Sequence, residues 1–294
     1  MKSAQIKKAG RFIAPLLKTT QEGKVIGITS KGVFLLFGEK IAFLTPDDHD
    51  NPFMLQVNDP AALPEGLDLA TPVRITADRM MIGDTEYILS SISAIAPDPL
   101  PQVKTDTLKG KVSGQILSIF QSLNRPAHAG SFIFVADALL NKTVPADLDR
   151  QDLCFAIRNL RKGRNERDLP ACVEALKRIV GSGKGLTPSG DDFVTGYLLV
   201  LNCLIDREPG VNVFTLQLNS AALELARTRS TWISANMIEA AALRLVDERV
   251  GLAAKVLLNT CKLDPVTVAR RLESFGSSSG IDAFCGMVAA LVPG

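Results

Sequence analysis

The sequence predicts an α+β protein, in which a small β-rich, barrel-like N-terminal domain precedes an all-α C-terminal domain. Residues 1–98 contain short β-branched and aromatic runs broken by glycine turns. Residues 102–294 instead space their apolar residues three or four apart, with almost no alternating runs. Between them, Asp98-Pro99-Leu100-Pro101 can continue neither a strand nor a helix, so we place the domain boundary there.

The β-rich domain is predicted from two groups of short runs, and Gly83-Asp84 in the second group predicts a hairpin turn. Short strands at this spacing indicate a small antiparallel sheet or barrel. The predicted strands are Lys24–Thr29, Gly32–Phe37, Lys40–Leu44, Pro72–Thr76, Arg79–Ile82 and Glu86–Leu89.

The all-α domain is predicted from a series of amphipathic segments. One example is the stripe that Val173, Leu176 and Val180 form at helical spacing. The predicted helices are Thr105–Leu123, Asp152–Leu160, Leu169–Val180, Asp192–Ile205, Phe214–Arg227, Ala235–Leu245, Leu252–Leu258, Val266–Leu272 and Ile281–Leu291.

Composition excludes several classes of function. The 33 Lys and Arg residues nearly balance the 31 Asp and Glu residues, so neither nucleic acid nor an anionic membrane is expected as a partner. No apolar run approaches the roughly 20 residues of a membrane span, and the N-terminal apolar run is too short for a signal peptide. The 5 cysteines are dispersed and form no Cys-x-x-Cys pair. We therefore expect reduced thiols and a cytoplasmic protein.

Two segments share the form Ser-Gly-x-Asp-x-x-x-Gly, namely Ser189–Gly196 and Ser279–Gly286. A serine followed three residues later by a carboxylate is typical of a capped helix N-terminus, which favours anions. Glycine inside a helix costs roughly 1 kcal/mol relative to alanine. Gly196 and Gly286 therefore indicate a close helix–helix approach that brings the two N-termini together.

The stretch before the first of these helices is rich in glycine and predicts a binding loop for a small anion. Thr187 and Ser189 are alternative caps of the helix. Asp191 and Asp192 are candidate catalytic residues, and the same residues have alternative interpretations as metal ligands or as first-turn carboxylates. The candidate substrate-binding residues are Gly183, Lys184, Gly185, Thr187, Ser189, Gly190, Arg229, Ser230, Ser279, Gly280, Asp282 and His128.

Two better-known motifs do not fit the sequence. A phosphate-binding P-loop ending at Lys184 requires glycine where Arg178 stands and Ser or Thr where Gly185 stands. Gly276–Gly280 matches the nucleophile-elbow pattern, but helical sequence precedes it and both histidines, His49 and His128, come earlier in the chain. Neither nucleotide binding nor serine hydrolase chemistry is therefore favoured.

Three stretches together resemble one bacterial family, that of the H-type subunit of oxamate carbamoyltransferase (AllH). They are Gly183–Asp192, with its Gly-Leu-Thr-Pro-Ser-Gly-Asp-Asp string, Thr228–Ser230 and Gly276–Asp282. The resemblance implies a role in allantoin (purine) catabolism. It also implies transfer of a carbamoyl group between oxalurate and phosphate, in a hetero-complex with other subunits.

The sequence and the resemblance together predict a subunit of a carbamoyl-transfer enzyme that binds a small anionic substrate at paired helix N-termini. One alternative is a non-catalytic scaffold subunit whose glycines serve helix packing, and another is a small-molecule kinase-like enzyme. No cofactor motif is evident. A divalent cation held by Asp191 stays open as an alternative to Asp191 orienting a substrate amide.

Overall fold

The structure of the chain is a computed structural model that describes residues 2–108, 112–128 and 130–292. It divides into two compact units, the first ending at Asp98 and the second beginning at Pro99. Each unit has its own core of buried apolar side chains. The fold class is therefore α+β, as predicted, with a barrel-like N-terminal unit and a helical C-terminal unit.

The N-terminal unit is a closed barrel of eight strands. Its strands, and the further strand β9, are β1 (Lys2–Gly10), β2 (Gln21–Thr29), β3 (Gly32–Phe37), β4 (Lys40–Thr45), β5 (Met54–Val57), β6 (Pro72–Thr76), β7 (Arg79–Ile82), β8 (Thr85–Ile88) and β9 (Ala94–Ala96). Strands β5-β4-β3-β2-β6-β7-β8-β1 are neighbours in that order, β1 and β5 close the barrel, and β9 adds to β1.

The six predicted strands are all present, with boundaries that differ by a few residues at most. The clearest case is β6, where Val73 and Ile75 are buried while the residues between and beside them are exposed. This alternation puts one face of each strand into the barrel interior. Strands β1, β5 and β9 were not predicted, because β1 is rich in lysine and the other two are only three or four residues long.

The C-terminal unit contains ten helices within the described residues and one small two-stranded sheet. The helices are α1 (Val112–Ser122), α2 (Ile133–Asn141), α3 (Leu148–Glu166), α4 (Leu169–Ile179), α5 (Ser189–Cys203), α6 (Pro209–Arg229), α7 (Trp232–Ala242), α8 (Glu248–Leu257), α9 (Pro265–Glu273) and α10 (Ser279–Leu291). The sheet pairs β10 (Val103–Lys104) with β11 (Leu204–Ile205) in parallel.

Several helix predictions need correction. Helix α7 ends at Ala242, short of the predicted Leu245, and α3 and α8 each begin four residues before the predicted start. Helix α2 was missed because its sequence is apolar almost throughout and shows no polar face. Ile205 belongs to β11, because α5 ends at Cys203. The predicted helix from Thr105 begins as a short 3-10 helix over Thr105–Leu108. Its residues 109–111 lie outside the described residues.

Helices α5 and α10 form the centre of the helical unit. Every residue of α5 from Gly190 to Leu201 is buried, and so is every residue of α10 from Gly280 to Ala290. A helix that is apolar on all sides must be enclosed by others. No helix in the described part of the chain is both long and apolar enough to cross a membrane.

The two central helices cross at their glycines, and the contact is reciprocal. A methyl group added at Gly196 would lie 1.9 Å from the carbonyl oxygen of Ala283, and one added at Gly286 would lie 1.9 Å from that of Phe193. Gly196 corresponds to Gly286 in the two repeated segments, and Phe193 corresponds to Ala283. The crossing is therefore symmetric, and the predicted close approach is confirmed.

We expect Gly196→Ala to lower the free energy of unfolding by about 3 kcal/mol or more, because the new methyl group meets backbone that cannot rotate away. Gly114→Ala in α1 is the matched control. A methyl group there meets nothing within 4 Å, so it should stabilise the protein by up to about 1 kcal/mol. Urea denaturation measures both effects. Equal stability of Gly196→Ala and wild type would contradict the crossing.

Candidate functional site

The glycine-rich loop between α4 and α5 has a left-handed backbone at three positions. Gly181, Gly183 and Gly185 have φ angles of +79°, +113° and +99°, which side-chain-bearing residues rarely adopt. A methyl group at Gly183 would also lie 2.7 Å from the backbone nitrogen of Ser189, whereas one at Gly185 would meet nothing within 4 Å. Gly185 is therefore required by backbone conformation alone and not by packing.

The loop is fixed at its two ends by hydrogen bonds. The backbone N–H of Gly190 donates to the carbonyl oxygen of Ser182 at 2.8 Å. The Thr231 hydroxyl donates to the carbonyl oxygen of Leu186 at 2.7 Å and also accepts from the Ser234 N–H as the N-cap of α7. The loop and the start of α7 are therefore held together.

Asp191 connects the same two regions through its carboxylate. One oxygen accepts from the Gly181 N–H at 2.8 Å, and the other accepts from the Ser230 hydroxyl. Burial raises the pKa of Asp191, while interactions with Ser230, Gly181 and Ser234 oppose that rise. Because both oxygens have donors and the residue is only 1% exposed, this geometry fits a positioning role for the loop. A catalytic role for Asp191 stays a prediction.

The two Ser-Gly-x-Asp segments meet, and each serine interacts with the aspartate of the other segment. Ser279 and Thr187 interact with the Asp192 carboxylate, and Ser189 interacts with the Asp282 carboxylate. The hydroxyl oxygens of Thr187 and Ser279 are 3.2 Å apart. The prediction that the two segments lie close together is confirmed.

This arrangement corrects the predicted helix caps. The N-cap of α5 is Pro188 and that of α10 is Ser278, and neither makes a side-chain capping hydrogen bond. Ser189 and Ser279 are already the first helical residues. The serine hydroxyls therefore face the opposite helix instead of their own N-terminal N–H groups, and neither Thr187 nor Ser189 is the cap.

Asp192 and Asp282 are 2% and 0% exposed. Burial raises the pKa of Asp192 well above its ordinary value, and the negative charge of Asp282 raises it further, against the interactions with Ser279 and Thr187. Burial likewise raises the pKa of Asp282 to about 6, against the Phe132 N–H, which donates at 2.6 Å, and the hydroxyls of Ser278 and Ser189. The site thus contains two neighbouring carboxyl groups that resist ionisation.

Gly190 and Gly280, both predicted substrate-binding residues, lie where each central helix passes the preceding one. A methyl group at Gly190 would lie 1.9 Å from the carbonyl oxygen of Ile179, and one at Gly280 would lie 2.1 Å from that of Leu272. Close packing against the preceding helix therefore explains why glycine stands at both positions. Their binding role stays a prediction.

The other predicted binding residues surround the loop or the aspartate pair. Lys184 and Arg229 are exposed, and neither has an ion-pair partner among the described residues. His128 is half-buried, with its Nε2 atom 3.6 Å from the Glu273 carboxylate. When protonated it would lower the pKa of Asp282. Its binding role stays a prediction.

Sequence reasoning missed four residues that contribute to the site. Ser278 interacts with Asp282, Ser234 with Asp191, and Glu273 with His128. Ser182 supplies the carbonyl oxygen that holds Gly190. Only Ser278 carried a signal, since it stands four residues before Asp282, while the other contacts arise from tertiary packing.

No set of three His, Cys, Asp or Glu residues in the described ranges could hold a metal ion. All 5 cysteines are free thiols, and four of them are buried. Any metal here would need oxygen ligands from hydroxyl groups, water or substrate besides the aspartates.

Residues 179–291 match the family model of the oxamate carbamoyltransferase subunit AllH. The match confirms the family resemblance. The matched segment runs from the end of α4 to the end of α10 and so contains the glycine-rich loop, the start of α7 and both Ser-Gly-x-Asp segments. Searches of curated proteins and of solved structures found no match for this chain.

We expect Asp191→Asn to loosen the glycine-rich loop. An amide retains only one acceptor oxygen, so one of the donors Gly181 N–H and Ser230 hydroxyl loses its partner, at a cost of about 1–3 kcal/mol. Hydrogen exchange should show faster exchange at Gly181, while the amides in the middle of α3 keep their protection. Unchanged exchange at Gly181 would contradict this role of Asp191.

Proposed function

We propose that the chain is a subunit of a carbamoyl-transfer enzyme that acts on oxalurate or oxamate and on carbamoyl phosphate. In the reaction, the carbamoyl group moves between the oxamate nitrogen and a phosphate oxygen. The observation that carries the proposal is the AllH match over residues 179–291, which coincides with the site described above. All of these substrates are anions, so the site must offer donors and positive charge.

The loop before α5 has the properties that an anion site requires. The N–H groups of Gly183, Lys184, Gly185, Leu186 and Thr187 have no hydrogen-bond partner within the described residues. Residues 183–186 are exposed, and the glycines leave their backbone unshielded. Consecutive free N–H groups in a turn form a concave site for anions.

The first turn of α5 offers fewer free N–H groups to an anion than an uncapped helix N-terminus would. Its Gly190, Asp191 and Asp192 N–H groups already donate to carbonyl oxygens of Ser182 and Pro188. We therefore assign the anion to the loop, with the positive end of the α5 dipole behind it. The exposed Lys184 supplies a cation from the loop itself, and Arg229 supplies another from the end of α6.

The scaffold alternative predicts that packing explains every glycine of the site, and this can be compared with the structure. Close backbone contacts explain Gly190, Gly196, Gly280 and Gly286 without any ligand, which favours a packing role at those four positions. Packing does not explain Gly185 or the exposed run of N–H groups around it. A pure scaffold would not need that run.

We expect Lys184→Ala to weaken binding of phosphate, carbamoyl phosphate and oxalurate about tenfold to a hundredfold, because one charge-assisted contact is lost. Stability should hardly change, since the side chain is exposed in a loop. Lys162→Ala is the control, because Lys162 is exposed on α3. Isothermal titration, with the other subunits present, measures the affinities.

Two results would overturn the anion site. One is wild-type protein that binds none of the three anions. The other is Lys184→Ala that binds them as tightly as the Lys162→Ala control. Either result would leave the loop as a packing device and favour the scaffold alternative.

A further inference from the structure

Asp192 and Asp282 are buried side by side, and the described residues leave part of each carboxylate without a hydrogen-bond donor or a counter-charge. One oxygen of each carboxylate, Asp192 Oδ2 and Asp282 Oδ2, is buried and accepts no hydrogen bond from any described residue. Neither carboxylate has an ion-pair partner among the described residues, and a protonated His128 would lower the pKa of Asp282 without pairing with it. Buried charges of this kind are normally paired or coordinate a metal.

The groups around the pair are oxygen donors. The hydroxyl groups of Thr187, Ser189, Ser278 and Ser279 interact with the two carboxylates. All four residues are half-buried, whereas the aspartates are enclosed. The hydroxyls are therefore more accessible than the carboxylates, and we call these four hydroxyl groups the hydroxyl rim.

We propose that Asp192 and Asp282 bind one hard divalent cation of the Mg²⁺ class, with the hydroxyl rim and water completing its coordination. Two carboxylates supply two negative charges, which balances the ion. Mg²⁺ in proteins is commonly held by one or two carboxylates and retains several water molecules. A donor set made only of oxygen favours Mg²⁺, Mn²⁺ or Ca²⁺ over softer metals.

The two repeated segments make the proposed ligand set symmetric, with one half from the start of α5 and the other half from the start of α10. Each Ser-Gly-x-Asp segment contributes one carboxylate and one serine hydroxyl, so the two segments supply equivalent ligands from opposite sides. The close approach at Gly196 and Gly286 keeps the helix starts together. The cation site does not depend on the anion proposal, because the cation is assigned to side-chain oxygens and the anion to loop N–H groups. Thr187 is the one residue in both sets, through its hydroxyl and its N–H respectively.

Mn²⁺ serves as the probe, with full-length protein that has been stripped with a chelator. Electron paramagnetic resonance should show one Mn²⁺ bound per chain, and Mg²⁺ should compete for it. Asp192→Asn and Asp282→Asn should each weaken binding about a hundredfold or more, since loss of a supporting group alone typically costs 10- to 100-fold, as an order of magnitude. Asp149→Asn is the control, because Asp149 is exposed in the first turn of α3 and belongs to neither Ser-Gly-x-Asp segment.

Two further measurements keep the proposal testable if an aspartate variant folds poorly. Ser279→Ala, a milder change, should weaken Mn²⁺ binding about tenfold. Mg²⁺ should raise the Tm of the wild type by mass action and leave that of Asp282→Asn unchanged.

The proposal is overturned if the wild type binds no Mn²⁺ at millimolar concentration, or if the Asp192 and Asp282 variants bind it like the Asp149→Asn control. Either result would mean that the carboxyl pair holds a proton instead. Anion titration in the presence of chelator tests the loop separately, so failure of one site is distinguishable from failure of the other.

Discussion

The reciprocal contact of α5 with α10 is the constraint on which the rest of the helical unit depends. Gly196 and Gly286 let each helix backbone press against a carbonyl oxygen of the other. Any side chain at either position would separate the helices, and with them the two Ser-Gly-x-Asp segments at their N-termini. The site therefore depends on the two glycines, because they let α5 and α10 cross near their N-termini with no space for a methyl group between them.

That crossing has an electrostatic consequence. Both helices are enclosed on every side, so Asp192 and Asp282 are buried next to each other, and burial raises the pKa of both carboxyl groups. Each aspartate is accompanied by a serine from the other helix, so the polar groups stabilise the pair of helices as a unit. Isolated buried carboxylates would be far more costly. In the preceding loop, residues 183–186 are exposed, and the N–H groups of residues 183–187 have no hydrogen-bond partner within the described residues.

The sequence was sufficient for the fold class, for most of the helices and strands, and for the meeting of the two repeated segments. Periodicity and glycine placement are local properties, so they can be read without the fold. The sequence could not predict which hydrogen-bonding partner each polar side chain has in the folded structure. Ser189 has the spacing of a cap, yet its hydroxyl interacts with Asp282 across the crossing, because tertiary packing brings a buried carboxylate closer than the local alternative. Helix α2 was missed for a related reason, since a helix with few polar residues shows no period.

We propose above that the loop before α5 binds a small anion through its backbone. Amide resonances of Gly183 and Gly185, observed by nuclear magnetic resonance during titration with carbamoyl phosphate, test it most directly, because they report the proposed donors themselves. We expect saturable shifts at both glycines, with little change at Gly114 on the surface of α1. Saturable shifts elsewhere with none at Gly183 and Gly185, or no saturable shift at all, would contradict it.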